Sequence, residues 1–196
     1  MLAISKGILH PTIFCRNLLK EILLSAVDGT ALELSSDLNK LDGLDINMFR
    51  AVVLFFHEKE ISLNQLNALI TFVESGGRLF CIHGALASFK AYDEYRKLTG
   101  ARFTGHDKIR DMHITGDLDF VIRDELYEFK IEDECDVRLD CDGVPVLWTR
   151  ILNNGRVTCL SPGHRAATFK NSGFRKLLES IIYEILELNG GMNEKS

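Results

Sequence analysis

The sequence of 196 residues predicts an α/β fold, a flavodoxin-like three-layer sandwich with a mainly parallel sheet. Short apolar strands alternate with amphipathic helices along the first half of the chain. One of these strands, residues 51–56, is apolar on both faces, which is typical of a central parallel strand. The chain contains no internal repeat or linker. We therefore expect one domain over residues 1–189 and a frayed tail over residues 190–196.

Apolar spacing and turn residues predict the elements of the first half. Ser62 and Gln65 form a capping box that opens a helix, and Gly76-Gly77 end that helix because glycine adopts positive φ. The helix at 12–26 is predicted from its apolar stripe. The predicted strands are Leu2–Ser5, 31–34, 51–56 and Arg78–Ile82, and the predicted helices are 12–26, 62–74 and 85–98.

The alternation of strands and helices stops after Gly100, where residues 101–114 are expected to be irregular. Short strands follow, and Asn153-Asn154-Gly155 is a hairpin signal. The predicted strands here are 120–122, 137–139, Val144–Leu152 and 156–160, and the last predicted helix is 171–188. We therefore expect an antiparallel excursion of the sheet between residues 119 and 160.

Composition excludes several classes of function. The net charge of −5 argues against non-specific binding of nucleic acid, which needs a basic surface. No apolar run reaches the length of a membrane span, and the first residues lack the features of a signal peptide. The five cysteines show no CxxC spacing, which favours free thiols in a reducing cytoplasm. We expect a cytoplasmic protein, with a homodimer as the default assembly for a fold of this size.

Histidines follow several of the predicted strands. The chain has six, and His10, His57, His83 and His164 each come at a strand end. In a parallel sheet these ends share one edge, so the imidazoles could converge. His83 stands at a sharp strand-to-helix turn where hydrolases usually carry Ser or Cys. A single histidine is more often a solvated or satisfied core residue, and this alternative is open for each of them.

A set of ordered motifs resembles the ThuA-like (trehalose utilisation) family. The central one is Gly76-Gly77-Arg78-Leu79-Phe80-Cys81-Ile82-His83-Gly84-Ala85. The others are His10-Pro11, Phe103-Thr104-Gly105-His106, His113-Ile114-Thr115, Asp124-Glu125-Leu126-Tyr127, Pro145-Val146-Leu147-Trp148 and Gly163-His164. The family has Pro where this chain has Ile114, and the role of His113 is left open. The resemblance implies a fold related to class I glutamine amidotransferase domains.

The residue at the sharp turn after the strand Arg78–Ile82 argues against glutamine hydrolysis. An amidotransferase would carry Cys at the turn, where this chain has His83. Cys81 lies two residues earlier, about 6–7 Å further into the sheet. A buried thiol has a raised pKa and little access to substrate, so Cys81 is a poor candidate for a nucleophile.

The histidines support two chemical interpretations. One is acid–base chemistry on a sugar or sugar derivative, as in a hydrolase or isomerase, which is the substrate class that the resemblance implies. Its catalytic candidates are His83, His164 and Glu125, and its substrate-binding candidates are His10, His106, Tyr127 and Trp148. The other is metal-assisted chemistry, with a divalent ion such as zinc held by His10, His83, His106 and His164.

Plainer interpretations of the same residues are also open. Glu125 could simply cap backbone amides, and Tyr127 and Trp148 could belong to the core. A non-catalytic domain that binds a small ligand or a partner protein is the alternative function. Convergence of the imidazoles of His10, His83 and His164 would favour an active pocket.

Overall fold

The computed structural model describes residues 1–27, 32–132 and 134–187. Its main sheet has nine strands among these residues, in the order β2-β1-β3-β4-β11-β10-β9-β6-β7, and β5 pairs with β8 in a separate ribbon. The strands are β1 (Leu2–Ser5), β2 (Glu33–Ser35), β3 (Ala51–Phe55), β4 (Arg78–Ile82), β5 (Ala101–His106), β6 (Arg110–Gly116), β7 (Phe120–Asp124), β8 (Tyr127–Ile131), β9 (Asp136–Cys141), β10 (Val144–Leu152) and β11 (Gly155–Leu160).

The parallel half of the sheet runs from β2 to β11. Strand β1 pairs in parallel with β2 and β3, β3 with β4, and β4 with β11. All five residues of β3 are buried, as expected for a strand covered on both faces. The carboxyl ends of β1, β3, β4 and β11 therefore lie along one edge. The predicted α/β fold with a mainly parallel core is confirmed.

The antiparallel half begins earlier than predicted. Residues 101–114, expected to be irregular, contain β5 and most of β6, so that expectation is wrong. In β6 the buried residues Met112 and Ile114 alternate with exposed ones, which is the period of a half-buried strand. The strand β8 (Tyr127–Ile131) was not predicted at all, although it is the partner of β5.

The helices are α1 (Ile13–Ala26), α2 (Leu63–Glu74), α3 (Asp93–Thr99), α4 (Ala166–Lys170) and α5 (Ser172–Glu187). The capping box of Ser62 and Gln65 is present at α2, as predicted. The helix predicted over 85–98 is wrong in its first part: a short 3₁₀ turn over His83–Ala87 is followed by a bend and a turn before α3. The hydroxyl of Ser88 accepts from the N–H of Glu58 and donates to Gly84 O, which holds the chain against the end of β3.

The two ends of the chain depart less from expectation. The helix predicted over 171–188 is confirmed as α5, and the short α4 precedes it. The side chain of Asn171 accepts from the N–H groups of Gly173 and Phe174, which caps the start of α5. Part of the second predicted strand and the whole tail at 190–196 lie outside the described residues.

Helices pack on both faces of the sheet through two apolar clusters, which gives the three layers that the sequence predicts. One packs α1, α4 and α5 against residues such as Val53 and Phe80. The other packs α2 and α3 against residues such as Val52 and Leu79. Within the described part of the chain, no helix has the length and apolarity needed to cross a membrane.

Close packing at the start of β11 gives a test of the fold. A Cβ at Gly155 would lie 1.8 Å from Val73 O and 2.7 Å from Gly77 O, and neither backbone atom can move freely. We expect Gly155→Ala to lower the free energy of unfolding by at least about 2 kcal/mol in urea denaturation. Gly43→Ala is the matched control, because nothing lies within 4 Å of its added Cβ. Equal losses in the two variants would contradict the packing described.

Candidate functional site

The centre of the site is the sharp turn after β4, which carries His83. Its φ of 46° lies in the left-handed region, where non-glycine residues are uncommon. The turn is tight on both sides: an added Cβ on Gly84 would lie 2.6 Å from Phe56 O, and one on Gly163 would lie 3.1 Å from the Cβ of His83. The side chain of His83 is fully buried. The sequence thus places an imidazole where the strained elbow of a hydrolase presents its nucleophile.

A hydrogen bond fixes the tautomer of this imidazole. The Nδ1 atom of His83 lies 2.8 Å from Ser161 O. A carbonyl oxygen only accepts, so Nδ1 carries the proton and the neutral ring keeps its lone pair on Nε2. That Nε2 atom is buried and has no hydrogen-bond partner among the described residues. Burial also lowers the pKa of His83 well below its ordinary value, so the ring is neutral near pH 7.

Two more histidines face this lone pair. His10 comes from the loop after β1, and His164 comes from the turn after β11. One nitrogen from each of His10, His83 and His164 lies within 4.8 Å of the others. The ring centroid of His10 is 5.0 Å from that of His83 and 5.0 Å from that of His164. The predicted convergence of these three imidazoles is confirmed.

The surroundings of His10 keep it neutral as well. Its Nε2 lies 3.1 Å from the hydroxyl of Tyr127. Burial first, and then the neighbouring His164, lower the pKa of His10 to about 4. Neutral imidazoles can act as bases or as metal ligands, whereas protonated ones can do neither.

Glu125 joins the three-histidine cluster to His106. One carboxylate oxygen, Oε2, lies 3.8 Å from His83 Nε2 and 3.6 Å from His164 Nδ1. The other, Oε1, lies 3.1 Å from His106 Nδ1. The His164 Nδ1 atom is also buried without a hydrogen-bond partner in the described part of the chain. His106 is half exposed and reaches Glu125 from the outside, but it is not a member of the three-histidine cluster.

A buried carboxylate that the sequence did not single out supports this arrangement. Asp124 is fully buried and accepts from the N–H of Glu125 at 2.8 Å and from the N–H of Gly163 at 3.0 Å. Burial raises its pKa, although both N–H groups favour the charged form. It therefore ties the loop of Glu125 to the turn of His164. The sequence signal for Asp124 is its place in the Asp-Glu-Leu-Tyr motif, which does not by itself predict that the carboxylate is buried.

The two aromatic candidates have different places. Tyr127 stacks on His83, with ring centroids 4.2 Å apart and an angle of 29° between the planes. Trp148 is fully buried in the core, where its indole donates to Thr99 O and packs against Phe129. The structure does not bring Trp148 to the histidines, and a fully buried indole offers no face to a substrate.

The remaining histidines lie at the margin or elsewhere. His57 makes an edge contact with His10, with ring centroids 5.3 Å apart, and is exposed. It shares the strand-end position of the others but was not among the predicted site residues. His113 lies on β6 and pairs with the exposed Asp119 at 2.9 Å, outside the cluster.

Fold and site together define a class of protein. The sheet and elbow are those of a class I glutamine amidotransferase-like α/β fold, with a histidine at the position of the nucleophile. The family model described as ThuA, trehalose utilisation, matches residues 2–183. The chain therefore belongs to the ThuA family. A comparison with curated protein sequences found no match.

Solved structures agree with this fold. A ThuA-like protein from Parabacteroides merdae superposes with a TM-score of 0.72 at 15% identity, covering 100% of this chain and 91% of that one. A cytoplasmic protein from Salmonella typhimurium gives 0.62 at 12% identity, covering 83% and 85%. A β-galactosidase from Bacillus circulans sp. alkalophilus gives 0.66 at 13% identity, covering 96% of this chain but 31% of that chain. At these identities the likeness shows the fold.

The role of Asp124 can be tested by removing its carboxylate. Asp124→Ala leaves the N–H groups of Glu125 and Gly163 without their acceptor, so we expect the free energy of unfolding to fall by about 2–3 kcal/mol. Asp124→Asn, which keeps one acceptor oxygen, should lose less. Asp119→Ala is the control, because the side chain of Asp119 is 75% exposed and its ion pair is worth at most about 1 kcal/mol. An Asp124→Ala variant as stable as this control would contradict the assigned role.

Thiol reactivity tests whether Cys81 is protected from reaction in the folded protein. Cys81 and Cys159 are fully buried, and burial raises the pKa of Cys159. We expect both to resist iodoacetamide in the folded protein and to react on unfolding, as measured by mass spectrometry. The partly exposed Cys135 serves as an internal control that reacts first. Rapid, stoichiometric modification of Cys81 in the folded protein would revive an amidotransferase-like nucleophile.

Proposed function

We propose that this protein is an enzyme that acts on a sugar or sugar derivative with the help of a divalent metal ion. The ion would be held by His10, His83 and His164, and Glu125 would act as the acid–base residue. The observation that carries the proposal is the cluster of His10, His83 and His164, in which one nitrogen of each ring lies within 4.8 Å of the others and the buried Nε2 of His83 has no hydrogen-bond partner within the described residues.

The residues present fit a metal of the zinc type. Metal-binding histidines usually donate their other ring N–H to a carbonyl or carboxylate, which fixes the ring. His83 has this arrangement, because Nδ1–H donates to Ser161 O and leaves Nε2 free. Three imidazoles with a carboxylate nearby are a donor set that zinc and similar ions accept. His106, which the sequence predicts as a fourth ligand, lies outside this set and contacts Glu125 instead.

The chemistry would be divided between the ion and the protein. A bound divalent ion supplies Lewis acidity toward a hydroxyl or carbonyl oxygen of the substrate. Glu125, 13% exposed and 3.6–3.8 Å from two imidazole nitrogens, can take or give a proton at a substrate atom next to the cluster. His106 Nδ1 lies 3.1 Å from Glu125 Oε1, where it can orient the carboxylate, while its exposed side can contact a substrate hydroxyl. Tyr127 holds the ring of His10 through its hydroxyl.

The substrate class rests on family membership. The family is described by trehalose utilisation, and a β-galactosidase shares the fold over nearly all of this chain. We therefore propose a carbohydrate substrate, with hydrolysis or isomerisation as the reaction, and not glutamine hydrolysis. The cytoplasmic location is likewise proposed, supported by five cysteines that form no disulfide among the described residues and by a cytoplasmic Salmonella protein of the same fold.

Metal binding is tested first and without reference to activity. Chelator-stripped protein should take up one Zn²⁺ per chain in a titration followed by elemental analysis. His164→Ala should weaken binding by more than the roughly 10–100-fold that follows loss of an outer-shell partner. His113→Ala is the control, because His113 is exposed and outside the cluster. Equal affinity of the two variants, or no uptake of Zn²⁺, Mn²⁺, Co²⁺ or Ni²⁺ by the unaltered protein, would contradict the proposal.

Catalysis is tested next with Glu125→Gln. This variant should keep the metal but lose about 10²–10⁴-fold in turnover on disaccharides, glycosides and keto-sugars screened with the metal-loaded protein. Metal uptake with ligand-induced stabilisation but no turnover would instead support a non-catalytic domain that binds a small ligand.

A further inference from the structure

A second cavity lies beside the histidine site. It has a volume of about 280 Å³ and is bounded by residues 86–92, α3 and the start of β5. Its walls combine the aromatic rings of Phe89, Tyr92 and Phe103 with the cationic side chains of Lys90, Arg96 and Arg102. In the part of the chain that the structure describes, its lining contains no Asp or Glu. Its size is close to the lower end of small-molecule sites, about 300 Å³.

One of the three cations that line this cavity forms no ion pair among the described residues. Arg96 and Arg102 share Glu132, with N–O distances of 2.7 and 3.0 Å, and Arg96 also approaches Asp93 at 3.3 Å. Lys90 is different, because its Nζ lies 4.2 Å from the ring centroid of Phe103 and forms no ion pair with a described carboxylate. Both guanidinium groups are thus paired with carboxylates, and the ammonium of Lys90 is the cation left for a ligand.

Two of the aromatic walls offer a face to that ligand. Tyr92 and Phe103 are partly exposed, and the hydroxyl of Tyr92 is held by Glu60 at 2.8 Å. The Lys90 ammonium lies over the ring of Phe103 in a cation–π contact, which places the charge directly against an apolar surface. A flat group and an anionic group can therefore be bound side by side.

The backbone that shapes the cavity is strained. Phe89 has a φ of 52°, a conformation that is an outlier for a bulky side chain and costs on the order of 1–3 kcal/mol. Two hydrogen bonds hold it there, from Phe89 N to Glu58 O at 3.1 Å and from Tyr92 N to Phe89 O at 2.9 Å. Strain of this kind clusters at ligand sites, and here it orients the chain so that Lys90 and Tyr92 both line the cavity.

The cavity shares a wall with the histidine site. The ring of Phe103 lies 4.9 Å from that of Tyr127, which stacks on His83 at 4.2 Å. The rings of Phe103 and Tyr127 therefore connect the cavity wall to the three-histidine cluster.

We propose that this cavity is a second small-molecule site, which takes a small carboxylate or phosphate that carries a flat apolar ring. The anionic group pairs with Lys90, and the ring lies against Tyr92 and Phe103. The site does not depend on a metal or on the proposed reaction, because none of its lining residues belongs to the three-histidine cluster.

Binding of ring-containing anions to the chelator-stripped protein tests this proposal. Phenyl phosphate and phenylacetate are the probes, benzyl alcohol is the neutral analogue, and calorimetry measures affinity. We expect both anions, or one of them, to bind at least about tenfold more tightly than the alcohol, with affinity that falls as salt is raised. The comparison of the two anions identifies phosphate or carboxylate as the preferred group.

Two variants locate the binding. Lys90→Met keeps the length and apolar part of the side chain and should weaken anion binding at least about tenfold, whereas Lys97→Met, an exposed lysine of α3 outside the cavity lining, should not. Phe103→Leu keeps an apolar side chain without the ring and should also weaken binding. His164→Ala should leave it unchanged, which separates this site from the proposed metal site.

The outcomes that would overturn the proposal are equally specific. Absence of binding of both anions at millimolar concentration, equal binding of benzyl alcohol, or an unchanged affinity in Lys90→Met would each do so. Loss of anion binding in His164→Ala with retention in Lys90→Met would place the anion at the histidine cluster instead.

Discussion

The hydrogen bond between His83 Nδ1 and Ser161 O is the interaction on which the site depends. It joins the turn after β4 to the turn after β11, two strands that pair in parallel with Ile82 opposite Leu160. A slip of one residue in this pairing would move the carbonyl to the other face of the sheet. The register of two buried strands therefore determines which ring nitrogen of His83 carries the proton. It also determines which nitrogen faces His10 and His164.

The low polarity of the site explains why several histidines can lie so close together. Protonated imidazoles about 5 Å apart would repel one another strongly where water is excluded, and burial already disfavours the charged form. The depressed pKa values of His10 and His83 remove this conflict near neutral pH. Glu125 and the buried Asp124 then supply negative charge on one side of the neutral rings. The result is a set of electron-pair donors beside a carboxylate, which is the physical basis of the proposed chemistry.

Much of this arrangement could be predicted from the sequence, because strong local patterns and one topological rule sufficed. The strands Leu2–Ser5, Arg78–Ile82 and Val144–Leu152 have the predicted bounds, since apolar runs bounded by turns are local signals. The convergence of His10, His83 and His164 followed from the shared edge of parallel strands.

The parts that could not be predicted depend on distant partners. Strand β5 is polar at alternate positions and needs β8 as its partner, so its own residues gave a weak signal. Asp124 is buried because a turn 39 residues away supplies the N–H of Gly163. The sequence around Trp148 is apolar, which is compatible both with a core residue and with an aromatic surface that binds a sugar. Only the packing of the fold distinguishes these two roles.

The start of α1 is tied to the end of the parallel sheet, and this has a consequence for how the site comes into being. Cys15 Sγ donates to His164 O at 3.4 Å, a contact that spans 149 residues of chain. The imidazoles that meet in the cluster come from the first loop and from the turn after the last strand. Closing so long a loop carries an entropic cost, and contacts so distant in sequence slow folding. A nascent chain in which β11 has not yet been synthesised therefore contains two of the three imidazoles and has no cluster. The proposed ion site would therefore be complete only once β11 and the turn after it have joined the sheet.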